Sequence, residues 1–249
     1  TMQLNLGRSY ISNEPVSKEI WSRAWPTIAL VGISTLLSTV FGVLIGIAAA
    51  WKRGSPTDYA STSFTMATYS MPDFWLGMLL LVTMSVSLGL FPVGGITDPG
   101  STATGLSHLL DQAHHMFLPA LPLTVAYLGE YALVMRSSLL DTMREDYLTL
   151  ARAKGLRDVM VRNRHAVPNA ILPVVTLIAI NFGFVLSGAI AVETIFSWPG
   201  LGRLTYDALN GPDLPLLQGL FLVFSAAVIF FNLVADLLYA YLDPRVRTA

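Results

Sequence analysis

The chain contains no cysteine. This absence excludes a disulfide framework, a thiolate metal site and a cysteine nucleophile, although it does not identify the redox compartment. Charged residues are also scarce, at 12% of 249 residues, whereas hydrophobic residues make up 53%. A soluble globule of this composition would have too little polar surface, so a bilayer is the expected solvent.

Long apolar runs fill most of the sequence. The clearest, residues 26–50, has no charged side chain, and as a helix it would reach about 37 Å, more than a hydrocarbon core of about 30 Å. The fold class predicted from these runs is all-α, a polytopic transmembrane helical protein. The five predicted spans lie at about 26–50, 59–91, 116–139, 170–192 and 216–241.

Basic residues are distributed unequally between the two sets of span ends. Because cytoplasmic ends are enriched in Lys and Arg, the richer set is predicted to be cytoplasmic. This places residues 1–25 outside as an N-terminal segment without signal-peptide features, and it places the loop 140–169 and the tail 242–249 in the cytoplasm. The richer set holds 11 of the 15 basic residues: Lys52, Arg53, Arg136, Arg144, Arg152, Lys154, Arg157, Arg162, Arg164, Arg245 and Arg247.

The loop 140–169 carries signals for helices. Thr142 is followed three residues later by Glu145, which fits a capping box, and Gly155 suits a left-handed cap at a helix C-terminus. These signals predict a helix over residues 143–154, a turn at Gly155, and a second helix that Pro168 limits.

One side of the first predicted helix in this loop is apolar. Met143, Tyr147, Leu150 and Ala151 recur at spacings of three and four residues, which places them on one face. Such a strip requires a partner, which could be the chain's own helices, an anionic lipid surface or another subunit. The residues alone leave these alternatives open.

Six segments carry a recognisable pattern, in order along nearly the whole chain: SMPDFWLG at 70–77, LGLFPVGG at 88–95, EDYLTLARAKGL at 145–156, RHAVPNAILPVVT at 164–176, ETIFSWPGLGRL at 193–204 and LDPRVR at 242–247. These segments resemble the dipeptide/oligopeptide/nickel permease family of ABC importers. The resemblance implies a type I ABC importer permease fold in the bacterial inner membrane. The chain departs from the general importer signature at Thr149 and Leu150, where that signature has Glu and Ala.

The resemblance also implies an assembly. It predicts a second permease subunit, two ATP-binding cassette ATPases and an external substrate-binding protein as partners, and no nucleic acid. Since family members usually begin with one further span, the family's first span is expected to be missing from this sequence. The residues implied to couple the chain to an ATPase are Glu145, Asp146, Tyr147, Ala151, Arg152, Lys154, Gly155 and Leu156.

The chain has no phosphate-binding loop of the form GxxxxGK[ST]. We therefore expect no ATP hydrolysis and no cofactor in this chain, with ATP and Mg²⁺ bound by the partner subunits. No catalytic residues are predicted. The expected function is transport of dipeptides or oligopeptides, with nickel, glutathione, haem or another small solute as alternative cargo. An ion-driven secondary transporter and a membrane enzyme or scaffold are the rival classes.

Polar side chains within apolar runs are candidates for the transport pathway, because a central charge costs about 2.5 to 3.5 kcal/mol on insertion scales. Asp73 and Glu130 are the predicted pathway residues. Glu193 and Asp236 lie near predicted span ends, where water is expected to solvate them.

The segment 193–215 and the histidines complete the candidate sites. Trp198, Pro199 and Gly200 are predicted to form part of an external vestibule; the alternative is that Trp198, Phe196 and Tyr206 anchor the chain at the membrane interface. No metal site is predicted, because adjacent His114 and His115 should point in different directions with no acid or thiol arranged around them. His108 and His165 are the remaining histidines.

Overall fold

The computed structural model describes residues 6–102 and 104–242, with the side chains of 184–188 and 239–242 left aside. Within these residues the chain is helical, and the only strand-like pairing is an isolated bridge between Arg8 and Pro15. The predicted all-α class is therefore confirmed. The tail 243–249, with most of the LDPRVR match, lies outside the described residues.

The three longest helices, α1, α4 and α11, follow the apolar runs and extend beyond them, whereas α8 falls short of its predicted span at both ends. Helix α1 begins at Val16, inside the segment predicted to precede the first span, and α4 begins at Leu106 rather than near residue 116. Hydropathy indicates which residues can lie in lipid, whereas the helix itself can continue into polar residues because its backbone hydrogen bonds do not depend on apolar side chains. The elements are α1 (Val16–Trp51), α2 (Pro56–Ser70), α3 (Asp73–Leu80) with a π-helical continuation (Leu81–Ser87), α4 (Leu106–Thr142), α5 (Asp146–Ala153), α6 (Asp158–Met160) with a π-helical continuation (Val161–Ala166), α7 (Val167–Ala170), α8 (Leu172–Gly188), α9 (Ile190–Ile195), α10 (Leu201–Asn210) and α11 (Leu214–Leu242).

Three of the described helices are each long and apolar enough to cross a membrane, namely α1, α4 and α11. Two further candidates meet the same criteria only as pairs of helices joined across a short bent break, Pro56–Ser70 with Asp73–Ser87 and Asp158–Ala170 with Leu172–Gly183. The described residues thus provide five spans if each bent pair crosses once.

Contacts divide the described residues into two compact units. The first comprises residues 6–34, 72–124 and 182–230. Its core is formed where the first turns of α1 meet α10 and α11, and each helix contributes residues at helical spacing. The buried side chains are Val16, Ile20 and Ala24 from α1, Leu201, Leu204 and Ala208 from α10, and Leu216, Leu220 and Phe224 from α11.

The second unit comprises residues 35–71, 125–181 and 231–242. Here α1 packs against α4 through Gly42 and Gly46, which are four residues apart. A Cβ on Gly42 would lie 2.9 Å from the Leu128 carbonyl oxygen, and one on Gly46 would lie 2.6 Å from the Ala132 carbonyl oxygen. Glycine therefore lets the two backbones approach, as small residues do in membrane helix pairs.

An ion pair between buried Asp58 and half-buried Arg136 joins α2 to α4 in the same unit. Arg136 Nε lies 2.8 Å from Asp58 Oδ1, and its Nη2 lies 3.1 Å from Oδ2, which makes the contact bidentate. Asp58 also accepts a hydrogen bond from the Gly54 backbone at 2.9 Å. The pair satisfies two charges that would otherwise be costly in an apolar environment.

We expect Gly46→Ala to lower the stability of the purified protein by about 1 to 3 kcal/mol, because the added methyl group has no room against α4. Gly32→Ala in the same helix is the matched control, since a Cβ there meets nothing within 4 Å. Thermal unfolding in detergent measures both, and an equal response of the two variants would contradict the close approach of α1 and α4.

Candidate functional site

The predicted coupling loop, residues 140–169, contains α5, but this helix begins later than predicted. Glu145 is the N-cap residue of α5, without a side-chain capping bond. Thr142 belongs to the last turn of α4, and its Oγ1 donates to the Ser138 carbonyl at 2.9 Å. The predicted capping box is therefore wrong: the Thr142 hydroxyl bonds backwards along α4 and is not available to cap α5.

The turn after α5 is as predicted. Gly155 has a φ of +76°, in the left-handed region, and its backbone N–H donates to the Arg152 carbonyl at 2.9 Å. A Cβ at this position would meet nothing within 4 Å. Glycine is favoured here by its backbone conformation alone, and not by close packing.

Pro168 does not limit the second helix of the loop. Helical structure runs from α6 through the π-helical continuation into α7, which contains Pro168 in its first turn. Proline is tolerated there because a first-turn N–H needs no helical acceptor, and the wider π-helical turn bonds the Val167 N–H to the Arg162 carbonyl. The break comes later, at Ile171, where the chain bends by 41° into α8.

The buried face of α5 differs from the predicted strip at two positions, Leu148 and Leu150. Leu148 and Ala151 are buried, whereas Leu150, which was assigned to the apolar strip, is 56% exposed. The buried pair packs into a cluster with Tyr131 and Met135 of α4. One face of α5 thus packs on the chain's own helices, and Leu150 lies on the opposite face.

Polar contacts hold the rest of the loop in place. The Tyr147 hydroxyl lies 3.3 Å from the His165 carbonyl, and Asn169 Nδ2 donates to the same hydroxyl at 3.1 Å. Trp51 Nε1 donates to Asp158 at 3.0 Å. These bonds join α5 to the helices that follow it and join the end of α1 to α6.

The predicted coupling residues occupy both faces. Ala151 is buried, and Tyr147 and Leu156 are half-buried against the same cluster. The remaining five are exposed: Glu145, Asp146, Arg152, Lys154 and Gly155. The exposed set, together with Leu150, forms a surface on which another protein could bind.

The two predicted pathway residues have different surroundings. Glu130 is half-buried, and its Oε2 accepts a hydrogen bond from Asn181 Nδ2 at 3.0 Å. Asp73 lies in the first turn of α3, where its Oδ1 accepts from the Phe74 backbone N–H at 2.7 Å. Asp73 therefore helps to begin a helix, while Glu130 has an amide partner on α8.

Glu193 is fully buried, contrary to the expected solvation near a span end. Its Oε1 accepts a hydrogen bond from Thr27 Oγ1 at 2.6 Å, and its Oε2 accepts from the Arg203 backbone N–H at 3.1 Å. Thr27 Oγ1 in turn accepts from the Leu201 N–H at 2.7 Å. Burial raises the pKa of the Glu193 carboxyl, while the hydrogen bonds from Thr27 and the backbone oppose that rise.

These contacts cap α10 from outside its own sequence. Leu201 and Arg203 lie in its first turn, where backbone N–H groups lack helical partners. The N-cap residue is Gly200, and a Cβ there would collide with the Glu193 carboxylate and the Thr27 hydroxyl. The only sequence signal for this cap is the acid Glu193 followed seven residues later by Gly200 in ETIFSWPGLG.

The structure buries the residues predicted to line an external vestibule. Trp198 is fully buried and its Nε1 donates to the Pro26 carbonyl at 2.9 Å, while Gly200 is also buried. Pro199 is half-buried. Phe196 is buried as well, so neither Phe196 nor Trp198 is an anchor at the membrane interface. Tyr206 is 46% exposed, as an interfacial anchor must be.

Residues 42–248 match the family of binding-protein-dependent transport system inner membrane components, and the chain belongs to this family. It is therefore a multi-pass membrane transport component and not an enzyme. This confirms the resemblance that the motifs predicted.

Two named permeases are similar to the chain over nearly its whole length. The dipeptide transport system permease protein DppB of Escherichia coli K12 is 40% identical, over 99% of this chain and 78% of that protein. The glutathione transport system permease protein GsiC of Salmonella typhimurium LT2 is 41% identical, over 99% of this chain and 76% of that protein. Both are permeases of transport systems.

Solved structures share the fold. The inward-facing MetNI methionine ABC transporter aligns with a TM-score of 0.73 at 16% identity, over 92% of this chain and 99% of that chain. An amino acid ABC transporter with histidines aligns with a TM-score of 0.67 at 13% identity, over 90% and 94%. The predicted ABC importer permease fold is confirmed.

We expect Glu193→Gln to reduce the pH dependence of stability. Because the folded protein raises the pKa of Glu193, this carboxyl favours folding at low pH, and that contribution is lost as pH rises from the ordinary value of about 4.3 through the raised pKa. Melting temperatures at several pH values test this. A wild type and a Gln variant with the same slope would contradict a buried, titrating Glu193.

Proposed function

We propose that the chain forms half of the translocation pathway of an ABC importer for dipeptides or oligopeptides. The observation that carries the proposal is the similarity, over 99% of the chain, to a dipeptide permease and a glutathione permease. Glutathione is itself a small peptide, so both relatives favour a peptidic cargo. Asp73 and Glu130 are the proposed pathway residues, because unneutralised acids in spans are costly unless water or a polar substrate reaches them.

The proposed coupling surface is the exposed face of α5 with the turn at Gly155. Leu150 is an exposed apolar side chain among charged ones, as in the centre of a protein interface. The opposite face packs on Tyr131 and Met135, so an ATPase that moves α5 would also move α4. In this proposal two ATPases bind ATP and Mg²⁺, and this chain binds neither.

The proposed orientation follows the basic residues. The set with 11 of 15 Lys and Arg is cytoplasmic, which puts the loop 140–169 inside and the first residues of the chain outside. The exposed face of α10 is then external. It carries Tyr206, Asp207, Leu209 and Asn210 and is the proposed contact for an external substrate-binding protein.

A second permease subunit is proposed to cover part of α11. Asn232 and Asp236 are exposed within a helix that is apolar enough to cross a membrane. Asp236 lies near the end of this span, where water can solvate it, so the argument rests on Asn232, whose amide would be costly in lipid without hydrogen-bond partners. Contact with another subunit or with the pathway removes this cost.

Two exposed leucines provide a paired test of the surfaces. Leu150 is 56% exposed and Leu209 is 55% exposed, so glutamate at either position should leave the fold intact. We expect Leu150→Glu to weaken co-purification of the ATPases at least tenfold and to abolish transport. Leu209→Glu should retain the ATPases and lose the stimulation of ATP hydrolysis by the binding protein.

Each variant in this pair is the control for the other. Unchanged melting temperatures show that neither result arises from unfolding. The coupling assignment is wrong if Leu150→Glu retains both ATPases and full transport, and the external assignment is wrong if Leu209→Glu responds normally to the binding protein.

Cargo is tested with the reconstituted importer in proteoliposomes. We expect labelled dipeptides to accumulate in an ATP-dependent manner, with unlabelled dipeptides competing better than glutathione. If glutathione competes better than the dipeptides, the cargo is like that of the glutathione permease GsiC. If neither dipeptides nor glutathione compete, the cargo is not peptidic.

A further inference from the structure

A buried histidine in the first unit lies between two carboxylates. His115 belongs to α4, with its side chain 2% exposed, and Asp111 lies one turn earlier on the same face. Asp98 reaches the imidazole from the segment before α4. The expectation that no acid surrounds the histidine pair is therefore wrong for His115.

The contacts of Nδ1 determine which nitrogen of neutral His115 carries the proton. Nδ1 lies 3.0 Å from Asp111 Oδ1 and 3.0 Å from the Asp111 carbonyl oxygen. Both neighbours are acceptors, so Nδ1 is the donor, and in the neutral ring Nε2 then has a free lone pair. The other Asp111 oxygen, Oδ2, accepts from the Asp98 backbone N–H at 3.1 Å, which fixes the carboxylate.

The lone pair of Nε2 faces a second acceptor. Asp98 Oδ1 lies 3.6 Å from Nε2, beyond the 2.7 to 3.2 Å of an ordinary N–H···O hydrogen bond. Zinc bonds of about 2.0 to 2.2 Å to nitrogen and oxygen place two ligands about 3 to 3.6 Å apart. The ligand atoms of all three residues lie within 4.8 Å of one another.

We propose that His115 Nε2 and the Asp98 carboxylate bind a divalent transition-metal ion, with Asp111 orienting the imidazole. A carboxylate that receives the other ring N–H is the usual support of a metal-binding histidine. Asp98 is 74% exposed, so an ion can enter from solvent and water can complete its coordination. Nitrogen ligation favours Zn²⁺ over Ca²⁺ and Mg²⁺, which prefer oxygen.

Such an ion would join the segment before α4 to α4 itself. The same junction is held by stacking of Phe91 on Phe117, with ring centroids 4.9 Å apart, and by a hydrogen bond between His114 Nε2 and the Leu90 carbonyl at 3.1 Å. The metal would add a link between Asp98 and the first turns of α4. Its expected role is to order this segment.

The test is Zn²⁺ binding by the full chain in detergent, carrying a tag without histidine, measured by competition with a chromophoric chelator. We expect the wild type to bind one Zn²⁺. The affinity for this ion should fall at least tenfold in Asp98→Asn and in His115→Gln, and about 10- to 100-fold in Asp111→Asn. Asp98→Asn is the decisive variant, because this exposed side chain can change without disturbing the core. His165→Gln is the control: this histidine belongs to the second unit, and its loss should leave Zn²⁺ binding like that of the wild type.

Other results would overturn the proposal. If His115 is instead an imidazolium paired with both acids, the wild type will bind no more Zn²⁺ than Asp98→Asn does. Displacement of Zn²⁺ by equimolar Ca²⁺ or Mg²⁺ would likewise exclude nitrogen ligation. Raised thermal stability with Zn²⁺ in the wild type, absent in Asp98→Asn, would support the proposed link without relying on any transport assay.

Discussion

The burial of one carboxylate determines how the first unit is arranged. Glu193 has no access to water, so its position is stable only while Thr27 and the start of α10 supply donors. The Arg203 N–H belongs to the first turn of α10, where backbone donors need acceptors from outside the helix. The Glu193 carboxylate therefore joins α1 to the start of α10, beside the hydrogen bond from Trp198 to the Pro26 carbonyl and the apolar packing of α1 on α10.

The proposed coupling loop, residues 140–169, is both attached to the rest of the chain and accessible to another protein. Leu148 and Ala151 attach α5 to the chain's own core, and the opposite face remains exposed. Of the three partners that the sequence leaves open, the chain's own helices and another subunit are compatible, because each would contact a different face of α5. An isolated helix of eight residues would not be stable in water, so its attachment is also a condition for its existence.

Sequence reasoning predicted what depends on local chemistry. Long apolar runs predicted the membrane helices, and a glycine after a short amphipathic segment predicted the left-handed turn at Gly155. It failed where the outcome depends on contacts between distant residues. Hydropathy predicts a solvated Glu193 because it cannot show that Thr27 lies beside it. Helical spacing places Leu150 on an apolar strip that requires a partner, but it does not determine which of two neighbouring strips packs on the chain's own helices.

The same limit applies to the polar pairs. Asp58 with Arg136, and Asp98 with His115, are separated by many residues and follow no motif, so their pairing appears only in the fold. The contact of α1 with α4 is different, because Gly42 and Gly46 are glycines four residues apart in an apolar run, and this pattern is a recognised signal of close helix contact.

The close approach at Gly42 and Gly46 has a mechanical consequence. Sliding α1 along α4 within the second unit would drive backbone against backbone, so this part of the two helices should move as a stiff pair. Bending must then occur elsewhere, and the described residues offer a place for it at Ile171, where the chain already bends by 41° between α7 and α8. A transport cycle built on this chain would concentrate its bending at that joint and leave the glycine contact unchanged in every state.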